Sequence, residues 1–244
     1  MRYLVISDIH ANTEALDACL EDAGRRGFDR TVVLGDIVGY GPDPNGVIER
    51  VVALAPVALV RGNHDKIAFG LDQAEGFNLA ARAAAEWTLN ALTAEHRDWL
   101  INLPQGPTVV DGHVEICHGS PVDEDEYIFD ELDARRAIDA ARQRLCLFGH
   151  THVAMVFHLQ GRAIGLLTPS TDGLKLDADA KYLVNPGSVG QPRDTDPRAA
   201  YAIYDADTQT LGMFRVDYPV ERTQERMAAA GLPEPLIRRL AAGR

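Results

Sequence analysis

The fold is decided by one stretch, Val33-Leu34-Gly35-Asp36-Ile37-Val38-Gly39-Tyr40-Gly41. It is an apolar, β-branched run that ends abruptly in glycine and aspartate and continues as a glycine-rich turn. This pattern is typical of a buried parallel strand, and open α/β sheets bind their ligands at the carboxyl ends of such strands. Gly35 has no Cβ, so the backbone can come close to whatever Asp36 binds. We therefore expect Asp36 to lie in a ligand-binding crevice.

The composition is that of a globular α/β protein. The chain has 244 residues, 46% of them hydrophobic, which is enough for one large domain with a substantial core. Its 24 basic and 36 acidic residues give a net charge of −12, which argues against binding to a nucleic acid polymer or an anionic membrane. The three cysteines stand apart in apolar surroundings, and no secretory or membrane-spanning segment is visible. We expect a cytoplasmic protein with free thiols.

Three β-loop units open the chain. Strands are predicted at 3–6, 31–34 and 57–60, with helices starting after Asn12 or Thr13 and at the Asp43-Pro44 pair. Right-handed crossovers place the carboxyl ends of parallel strands at one edge of a sheet. The three loops are therefore expected to share one crevice.

The rest of the chain changes from helical to strand-like periodicity. Two helices are predicted within 77–102, with Leu79, Ala83 and Trp87 on one apolar stripe. Asp111-Gly112 is typical of a hairpin turn between two strands. The other predicted elements are a second hairpin at Gln160-Gly161, strands at 145–148, 181–184, 200–204 and 210–216, a surface loop at 168–181, and a short helical tail from about Val220.

Polar side chains of the same chemical kinds follow five of the predicted strands. Five of the eight histidines lie in these strand-end motifs. Imidazole and carboxylate together suit Mn²⁺, Fe and Zn²⁺, and the lack of nearby cysteine disfavours a structural zinc. The ligands outnumber those that one tetrahedral ion uses, so we expect two ions with Asp36, central in the sheet, between them. The motifs are Asp8-Ile9-His10, Asp36, Asn63-His64-Asp65, His118 and His150-Thr151-His152.

In this order, and across residues 1–152, the five motifs resemble the signature blocks of the calcineurin-like metallophosphoesterases. Segments 35–42 and 185–194 further resemble the compact bacterial and archaeal members described as phosphodiesterases or phosphatases. The resemblance implies an α/β fold, a four-layer α/β/β/α sandwich with two mixed sheets, in a single domain over 1–244. That architecture agrees with the βαβ units followed by antiparallel strands.

The resemblance also implies a binuclear metal centre, with Mn²⁺ as the expected metal and Fe, Zn²⁺ or Ni²⁺ as alternatives. His64 would not be a ligand; it would be the catalytic acid that protonates or stabilises the leaving oxygen. The implied ligands are Asp8, His10, Asp36 and His152 for the first ion, and Asp36, Asn63, His118 and His150 for the second.

One departure from the serine/threonine protein phosphatases concerns substrate binding. Their block after the bridging aspartate continues Asp-Arg-Gly, and the matching places here hold Gly39, Tyr40 and Gly41. The acid that orients the histidine and the arginine that grips phosphate are both missing, which argues against protein phosphatase activity. We expect Asp65 to replace the orienting acid and Arg193 to replace the phosphate-binding arginine.

Three features near the motifs have more than one interpretation. Asn12 is expected both to cap its helix and to contact phosphate. Arg61 could face the substrate or pair with an acidic residue. The acidic segment 123–133, with seven carboxylates, is most simply a solvated loop. If it overhangs the crevice, it would repel long polyanions and favour small phosphoesters.

The expected activity is hydrolysis of small phosphodiesters, such as a cyclic nucleotide, by a metal-bridging hydroxide. Metal binding makes hydroxide available near neutral pH because it lowers the pKa of water to about 7 for zinc. The alternatives are a phosphomonoesterase or protein phosphatase and a dinucleoside polyphosphate hydrolase. A non-enzymatic scaffold, like the retromer subunit of this fold, ranks below them because that subunit lacks the catalytic histidine. The expected partner is a small phosphoester, with the oligomeric state left open.

Overall fold

The computed structural model describes residues 1–73 and 76–244, and two mixed six-stranded sheets form its centre. The strands are β1 (Arg2–Ile6), β2 (Arg30–Val33), β3 (Ala58–Leu59), β4 (Thr108–Val110), β5 (Val114–Ile116), β6 (Leu145–Leu147), β7 (Met155–Gln160), β8 (Ala163–Leu167), β9 (Leu174–Lys175), β10 (Ala180–Asn185), β11 (Ala199–Asp205) and β12 (Thr210–Val216). The strand order is β3-β2-β1-β11-β12-β9 in the first sheet and β4-β5-β6-β10-β7-β8 in the second.

Five of the eight helices in the described residues start at a capping side chain. Asn12 accepts a hydrogen bond from the backbone N–H of Ala15, and Asp43 accepts one from Gly46. Among the described residues, no helix has the length and apolar character needed to cross a membrane. The helices are α1 (Thr13–Arg26), α2 (Pro44–Ala53), α3 (Asn63–Ala68), α4 (Leu79–Ala91), α5 (Ala94–Ile101), α6 (Glu131–Ala140), α7 (Val220–Ala229) and α8 (Glu234–Ala242).

Alternating side chains of β1 divide the apolar interior into two cores. Leu4 and Ile6 pack with residues of α1 and α2, whereas Tyr3 and Val5 pack with residues of the second sheet. On the far face of the second sheet, buried residues of β6 and β10 pack against α6. The layers are therefore helix, sheet, sheet and helix, and the predicted four-layer sandwich is confirmed.

Parallel pairing brings the polar motifs to one end of the sandwich. β1, β2 and β3 run parallel in the first sheet, and β5, β6 and β10 run parallel in the second. Hydrogen bonds tie the loops of the first sheet to those of the second, from His150 N to Asp8 Oδ1 at 3.1 Å and from His118 Nδ1 to Leu34 O at 2.7 Å. The crevice expected from the three N-terminal loops thus includes loops of both sheets.

The structure corrects two predicted details. In α4 the predicted stripe is wrong, because Leu79 and Ala83 are exposed while a stripe of small residues, Ala81, Ala84, Ala85 and Thr88, is buried. The buried stripe has helical spacing, but its small side chains are weakly hydrophobic. The prediction was therefore based on the larger side chains instead. The segment 168–181 is not entirely a loop, since it contains β9, which pairs with β12.

The C-terminal helices pack against the N-terminal loops and α4. Leu236 and Leu240 of α8 pack in one apolar cluster with Tyr40 and with α4. In α7, Arg226 forms ion pairs with Glu14 at 2.8 Å and Asp43 at 2.9 Å. The predicted helical tail is therefore present, and it folds back over the loops at the end of the sandwich.

Candidate metal centre

The strand-end motifs hold their side chains in an uncommon backbone conformation. Asp8, His10, Asp36, His150 and His152 all have positive φ angles, between 49° and 66°. Left-handed backbone is uncommon for residues other than glycine, and such residues concentrate at functional sites. All five are also buried. Their conformation indicates that the loops are shaped to aim side chains rather than to minimise backbone energy.

The first cluster of possible ligands contains Asp8, His10, Asp36 and His152, whose donor atoms lie within 4.8 Å of one another. The Nε2 atoms of His10 and His152 are 3.1 Å apart. His10 Nε2 is 3.5 Å from Asp36 Oδ2, and His152 Nε2 is 3.4 Å from Asp8 Oδ1. The four residues predicted for the first ion therefore converge.

The second cluster contains Asp36, His118 and His150. His118 Nε2 is 3.1 Å from His150 Nδ1 and 3.4 Å from Asp36 Oδ2. The amide oxygen of Asn63 lies 3.3 Å from the same His118 nitrogen. Asp36 thus belongs to both clusters, and its Oδ2 atom faces a histidine from each.

Each of the four imidazoles has one ring nitrogen next to a backbone carbonyl oxygen. A carbonyl oxygen only accepts, so that nitrogen carries the hydrogen and the other presents its lone pair to the cluster. The contacts are His10 Nδ1 to Val38 O at 3.1 Å, His118 Nδ1 to Leu34 O at 2.7 Å, His150 Nε2 to Asp125 O at 3.1 Å and His152 Nδ1 to Gln191 O at 2.7 Å.

The His10–His152 pair tests whether the site suits a metal ion. Burial lowers the pKa of both rings well below the usual value, so both are neutral near pH 7. Their Nε2 lone pairs then face each other at 3.1 Å, an arrangement that is repulsive unless a cation lies beside them. Neutral imidazoles together with carboxylates are ligands for divalent transition metals. The residues of this cluster therefore fit a divalent ion.

In the second cluster, a proton on His118 can supply part of the positive charge that a metal ion would provide. Burial opposes protonation of His118, but the carboxylate of Asp36 raises the pKa of the ring above its usual value. Burial alone would raise the pKa of Asp36, whereas His118 holds it well below the usual range. Burial raises the pKa of Asp8, and the charge of Asp36 adds to that effect. Two carboxylates in a buried site thus call for a positive charge between them.

The backbone around Asp36 is shaped to fit its carboxylate. Asp36 Oδ1 accepts a hydrogen bond from the His64 backbone N–H at 2.9 Å. A Cβ on Gly62 would come within 2.1 Å of the same oxygen, so only glycine fits there. One carboxylate oxygen is therefore held by the protein, and the other faces the two clusters.

His64 lies beside the clusters with its ring against other rings. Ring centroids of Tyr40, Phe77 and His10 are 4.2 Å, 4.6 Å and 4.9 Å from that of His64. Burial lowers the pKa of His64 to about 4, and the charge of Arg193 also lowers it. Its Nδ1 atom is buried without a hydrogen-bond partner among the described residues. His64 is thus a neutral ring at the cavity wall.

A cavity of about 170 Å³ opens above the clusters. Arg193, the predicted phosphate-binding residue, lines it, and its backbone N–H donates to His152 O at 3.1 Å. Arg239 of α8 also lines the cavity, and the sequence analysis missed it. Its sequence context is that of an ordinary amphipathic helix, and no local pattern marks it. The other lining residues include Asp36, Asn63, His64, Phe77, Tyr127 and His150.

A family model supports the same interpretation as this geometry. The model for the calcineurin-like phosphoesterase superfamily domain matches residues 1–209. The chain belongs to this superfamily. Membership supports a hydrolase that acts on phosphoester bonds, and the predicted family is confirmed. Helices α7 and α8, and with them Arg239, lie beyond the matched residues.

Individual relatives of this phosphoesterase cover its whole length. An uncharacterized protein of Methanocaldococcus jannaschii is 36% identical over 249 residues, covering 98% of this chain and 97% of its own. A metallophosphoesterase of Sphaerobacter thermophilus is 43% identical with a TM-score of 0.86, over 100% and 99% of the chains. A hypothetical protein of Pyrococcus horikoshii shares the fold at 23% identity, with a TM-score of 0.81 over 100% and 98%.

Two residues that we expected to act on substrate or on His64 have other contacts in this phosphoesterase. Asp65 accepts hydrogen bonds from the backbone N–H groups of Ile37, Val38 and Gly62 at 2.9–3.1 Å, and it does not hydrogen-bond to the His64 ring. The prediction that Asp65 orients His64 is therefore wrong. Neighbouring residues on a helix point in different directions, which explains why.

Asn12 is the second correction. Its side chain caps α1, donates to Gly190 O at 2.9 Å and accepts from Thr223 Oγ1 at 3.2 Å, and it is only 1% exposed. The amide is thus used by the protein itself. We assign Asn12 the capping role alone and withdraw the predicted phosphate contact.

The acidic segment is only partly a solvated loop, because most of its residues are exposed but Glu124 and Glu126 are half-buried and Ile128 is buried. Glu124 forms two hydrogen bonds with Arg61, both at 3.0 Å, and one with Lys66 at 3.2 Å. The ring of Tyr127 stacks on His150 with the centroids 3.8 Å apart. Arg61 therefore pairs with an acidic residue, one of the two interpretations left open. The segment lies against the metal cluster, and part of its negative charge is neutralised there.

Proposed function

We propose that this phosphoesterase is a binuclear metal-dependent enzyme that hydrolyses small phosphodiesters. The observation that carries the proposal is the position of Asp36 between two clusters of donors. The opposed lone pairs of His10 and His152 add to it, because they call for a cation. The proposal assigns Asp8, His10, Asp36 and His152 to one ion, and Asp36, Asn63, His118 and His150 to the other.

Each part of the site would have a separate task. When bound, two divalent ions, with Mn²⁺ as the expected metal, would make hydroxide available near neutral pH and withdraw charge from the phosphoryl oxygens. The four backbone carbonyls hold the imidazoles in the tautomer that leaves a lone pair free. The carboxylates of Asp36 and Asp8 would balance part of the positive charge of the ions, and Arg193 would attract the anionic substrate into the cavity.

His64 would act on the leaving group. The reaction adds water to phosphorus, breaks the bond to the leaving oxygen and transfers a proton from the water to that oxygen. Because burial and Arg193 lower the pKa of His64 to about 4, the ring is neutral and would donate an N–H hydrogen bond to the leaving oxygen. Its contacts with Tyr40 and Phe77 fix the orientation of the ring.

A phosphodiester is the proposed substrate because it carries one negative charge, which two divalent ions can neutralise. A phosphomonoester is the second candidate, and one observation favours it. The absence of the Asp-Arg pair after Asp36 led us to expect one substitute cation, yet two guanidiniums, those of Arg193 and Arg239, line the cavity. A doubly charged monoester would benefit from both.

The metal requirement is tested by chelation and reconstitution. Exhaustive chelation should abolish turnover of bis(p-nitrophenyl) phosphate, and added Mn²⁺ should restore it with about two ions per chain by elemental analysis. A His158→Asn variant is the control, because His158 lies on β7 outside the clusters and should leave metal content unchanged. Full turnover with no detectable metal would disprove the proposed mechanism.

The substrate type is tested by ranking two nitrophenyl esters. We expect kcat/KM for bis(p-nitrophenyl) phosphate to exceed that for p-nitrophenyl phosphate by about tenfold at saturating Mn²⁺, an energy difference of about 1.4 kcal/mol. The reverse ranking would support the monoesterase and would point to Arg193 and Arg239 as the groups that bind the extra charge.

A further inference from the structure

Arg193 and Arg239 bring two guanidinium groups to the same cavity. Among the described residues, neither forms an ion pair with an aspartate or glutamate, although the chain carries a net charge of −12. Other partly buried arginines near the site are paired, Arg61 with Glu124 and Arg226 with Glu14. In a protein with excess acid, two adjacent unpaired cations at a cavity indicate an anion-binding site.

One neutral side chain holds both guanidiniums. Gln191 Oε1 accepts a hydrogen bond from Arg193 Nη2 at 2.9 Å and another from Arg239 Nη1 at 3.2 Å. Within residues 1–73 and 76–244, the buried amide nitrogen of Gln191 has no hydrogen-bond partner, and neither has Arg193 Nε. A glutamate at position 191 would pair with both cations. The glutamine instead brings them together and leaves their positive charge uncompensated.

The two arginines approach the cavity from different sides. Arg193 lies in the loop after β10, where its backbone N–H donates to the carbonyl of His152, a candidate ligand. Arg239 extends from α8, which packs on Tyr40 and α4. Arg193 is therefore tied to a loop that carries a candidate ligand, and Arg239 reaches the same cavity from α8. Together they define an anion site that begins at the clusters and extends outward.

We propose that Arg193 and Arg239 form a subsite for a second phosphate group, one that the substrate carries beside the phosphoester that is hydrolysed. This assignment rests on the proposed function. Two divalent ions already match the single charge of a reacting diester, so two further cations exceed its need. A terminal phosphate has two charges and three oxygens, which suit two guanidinium forks. The substrate class is then small phosphoesters with a terminal phosphate.

The test compares the binding of inorganic pyrophosphate and inorganic phosphate to metal-loaded protein by calorimetry, at equal free Mn²⁺. Arg239→Gln should weaken pyrophosphate binding by roughly 10- to 100-fold, the loss expected for a charge-assisted hydrogen bond. Phosphate should bind at the metal clusters, so its dissociation constant should change by less than about twofold in the same variant. Arg238→Gln is the matched control, since Arg238 on the same helix is exposed and pairs with Glu234.

A second variant separates anion binding from a structural role. Gln191→Glu keeps the acceptor that holds both arginines but neutralises part of their charge. We expect an unchanged or higher melting temperature together with pyrophosphate binding that is weakened about tenfold or more. If Arg239 only ties α8 to the loop, Gln191→Glu would raise stability and leave pyrophosphate affinity as it was.

Three results would overturn the subsite. One is equal weakening of phosphate and pyrophosphate by Arg239→Gln, which would place the reacting phosphate on the arginines. Another is no effect on either ion, and the third is the stability-only result with Gln191→Glu. Binding needs no turnover, so the two proposals can fail separately. Protein without esterase activity whose pyrophosphate binding depends on Arg239 would contradict the proposed function and support the subsite.

Discussion

The floor of the cavity and its rim are held in place by different kinds of contact. We use floor for the buried candidate ligands at and beneath the base of the cavity, which are Asp8, His10, Asp36, His118, His150 and His152. Backbone groups position these side chains, with one carbonyl for each imidazole. On the rim, formed by Arg239 and the segment 123–133, side chains hold one another. Glu124 binds Arg61 and Lys66, and Gln191 binds Arg193 and Arg239.

This difference suggests that the floor determines the reaction and that the rim determines which substrate is bound. Backbone groups cannot be changed by substitution without refolding the loop, so the floor has little freedom to vary its geometry. Side-chain pairs can be exchanged one residue at a time, so the rim can change its ligand while the floor stays the same. Substitutions on the floor should therefore alter metal content and rate, and substitutions on the rim should alter stability or the choice of substrate.

The largest effect is expected on the floor, from Asp36→Asn. This change removes the carboxylate shared by both clusters, so we expect loss of most bound metal and a fall in kcat/KM of about 10³ or more, the amount typical of losing a main catalytic group. Elemental analysis of the purified variant and kinetics with bis(p-nitrophenyl) phosphate measure the two effects.

His64→Asn is the matched comparison for Asp36→Asn. His64 is proposed to contact neither ion, so its variant should retain metal while losing about 10²–10⁴ in rate with a poor leaving group such as an alkoxide. With nitrophenolate, which leaves easily, the loss should be smaller. Equal metal loss in the two variants would make His64 a ligand and would require different roles for both residues.

A smaller effect, on stability, is expected on the rim from Glu124→Gln. The change removes the carboxylate that binds Arg61 and Lys66, and we expect the free energy of unfolding to fall by about 1–3 kcal/mol with metal content unchanged. Chemical denaturation measures the loss. Glu21→Gln is the control, because that glutamate is exposed and its solvent-screened pair with Arg25 should contribute little to stability.

The stabilisation that Glu124 provides should depend on pH in a definite direction. Burial opposes ionisation of Glu124, but Arg61 and Lys66 lower its pKa below the usual value of 4.5. A lowered pKa in the folded state means that the stabilisation is complete above pH 4.5 and is lost as pH falls through the lower, folded-state pKa. The difference between the native protein and Glu124→Gln should therefore shrink in acid. If the difference in the free energy of unfolding does not change with pH, packing of the Glu124 side chain and not its charge would be the cause of the stabilisation.

The same division explains what the sequence could predict. The floor was predictable because each candidate ligand lies in the loop just after a strand, and the parallel strands of a sheet bring such loops to one edge. Arg239 was not, because Leu236, Ile237 and Leu240 show only that α8 has an apolar face. Which loop that face covers depends on contacts between residues far apart in the chain. For the same reason, nothing local showed that the acidic segment packs on His150.

Asp65 and Asn12 show a further limit. Both lie next to proposed active-site residues in the sequence, and that proximity suggested roles on His64 and on phosphate. In the structure their polar atoms are used by backbone groups close by in space. Sequence proximity identifies the loop correctly, but it does not tell which of two adjacent side chains faces the cavity.

The smallest effect is expected from Asn12→Ser, which tests that limit directly. Serine can still cap α1, so the helix should remain. The bond to Gly190 O and the contact from Thr223 are lost, and we expect the free energy of unfolding to fall by about 1 kcal/mol. The folded variant should keep kcat and KM within about twofold of the native protein, a change below about 0.5 kcal/mol.

Asn102→Ser provides the comparison for that variant, since Asn102 follows the last residue of α5 and its amide donates a hydrogen bond to the carbonyl of Asp98. Both variants should keep full activity, and only Asn12→Ser should unfold at lower denaturant. If Asn12 does contact phosphate, KM should instead rise about tenfold, the loss expected when a hydrogen bond to a charged group is removed. That result would restore the predicted phosphate contact of Asn12. It would also mean that residues beside the candidate ligands bind substrate.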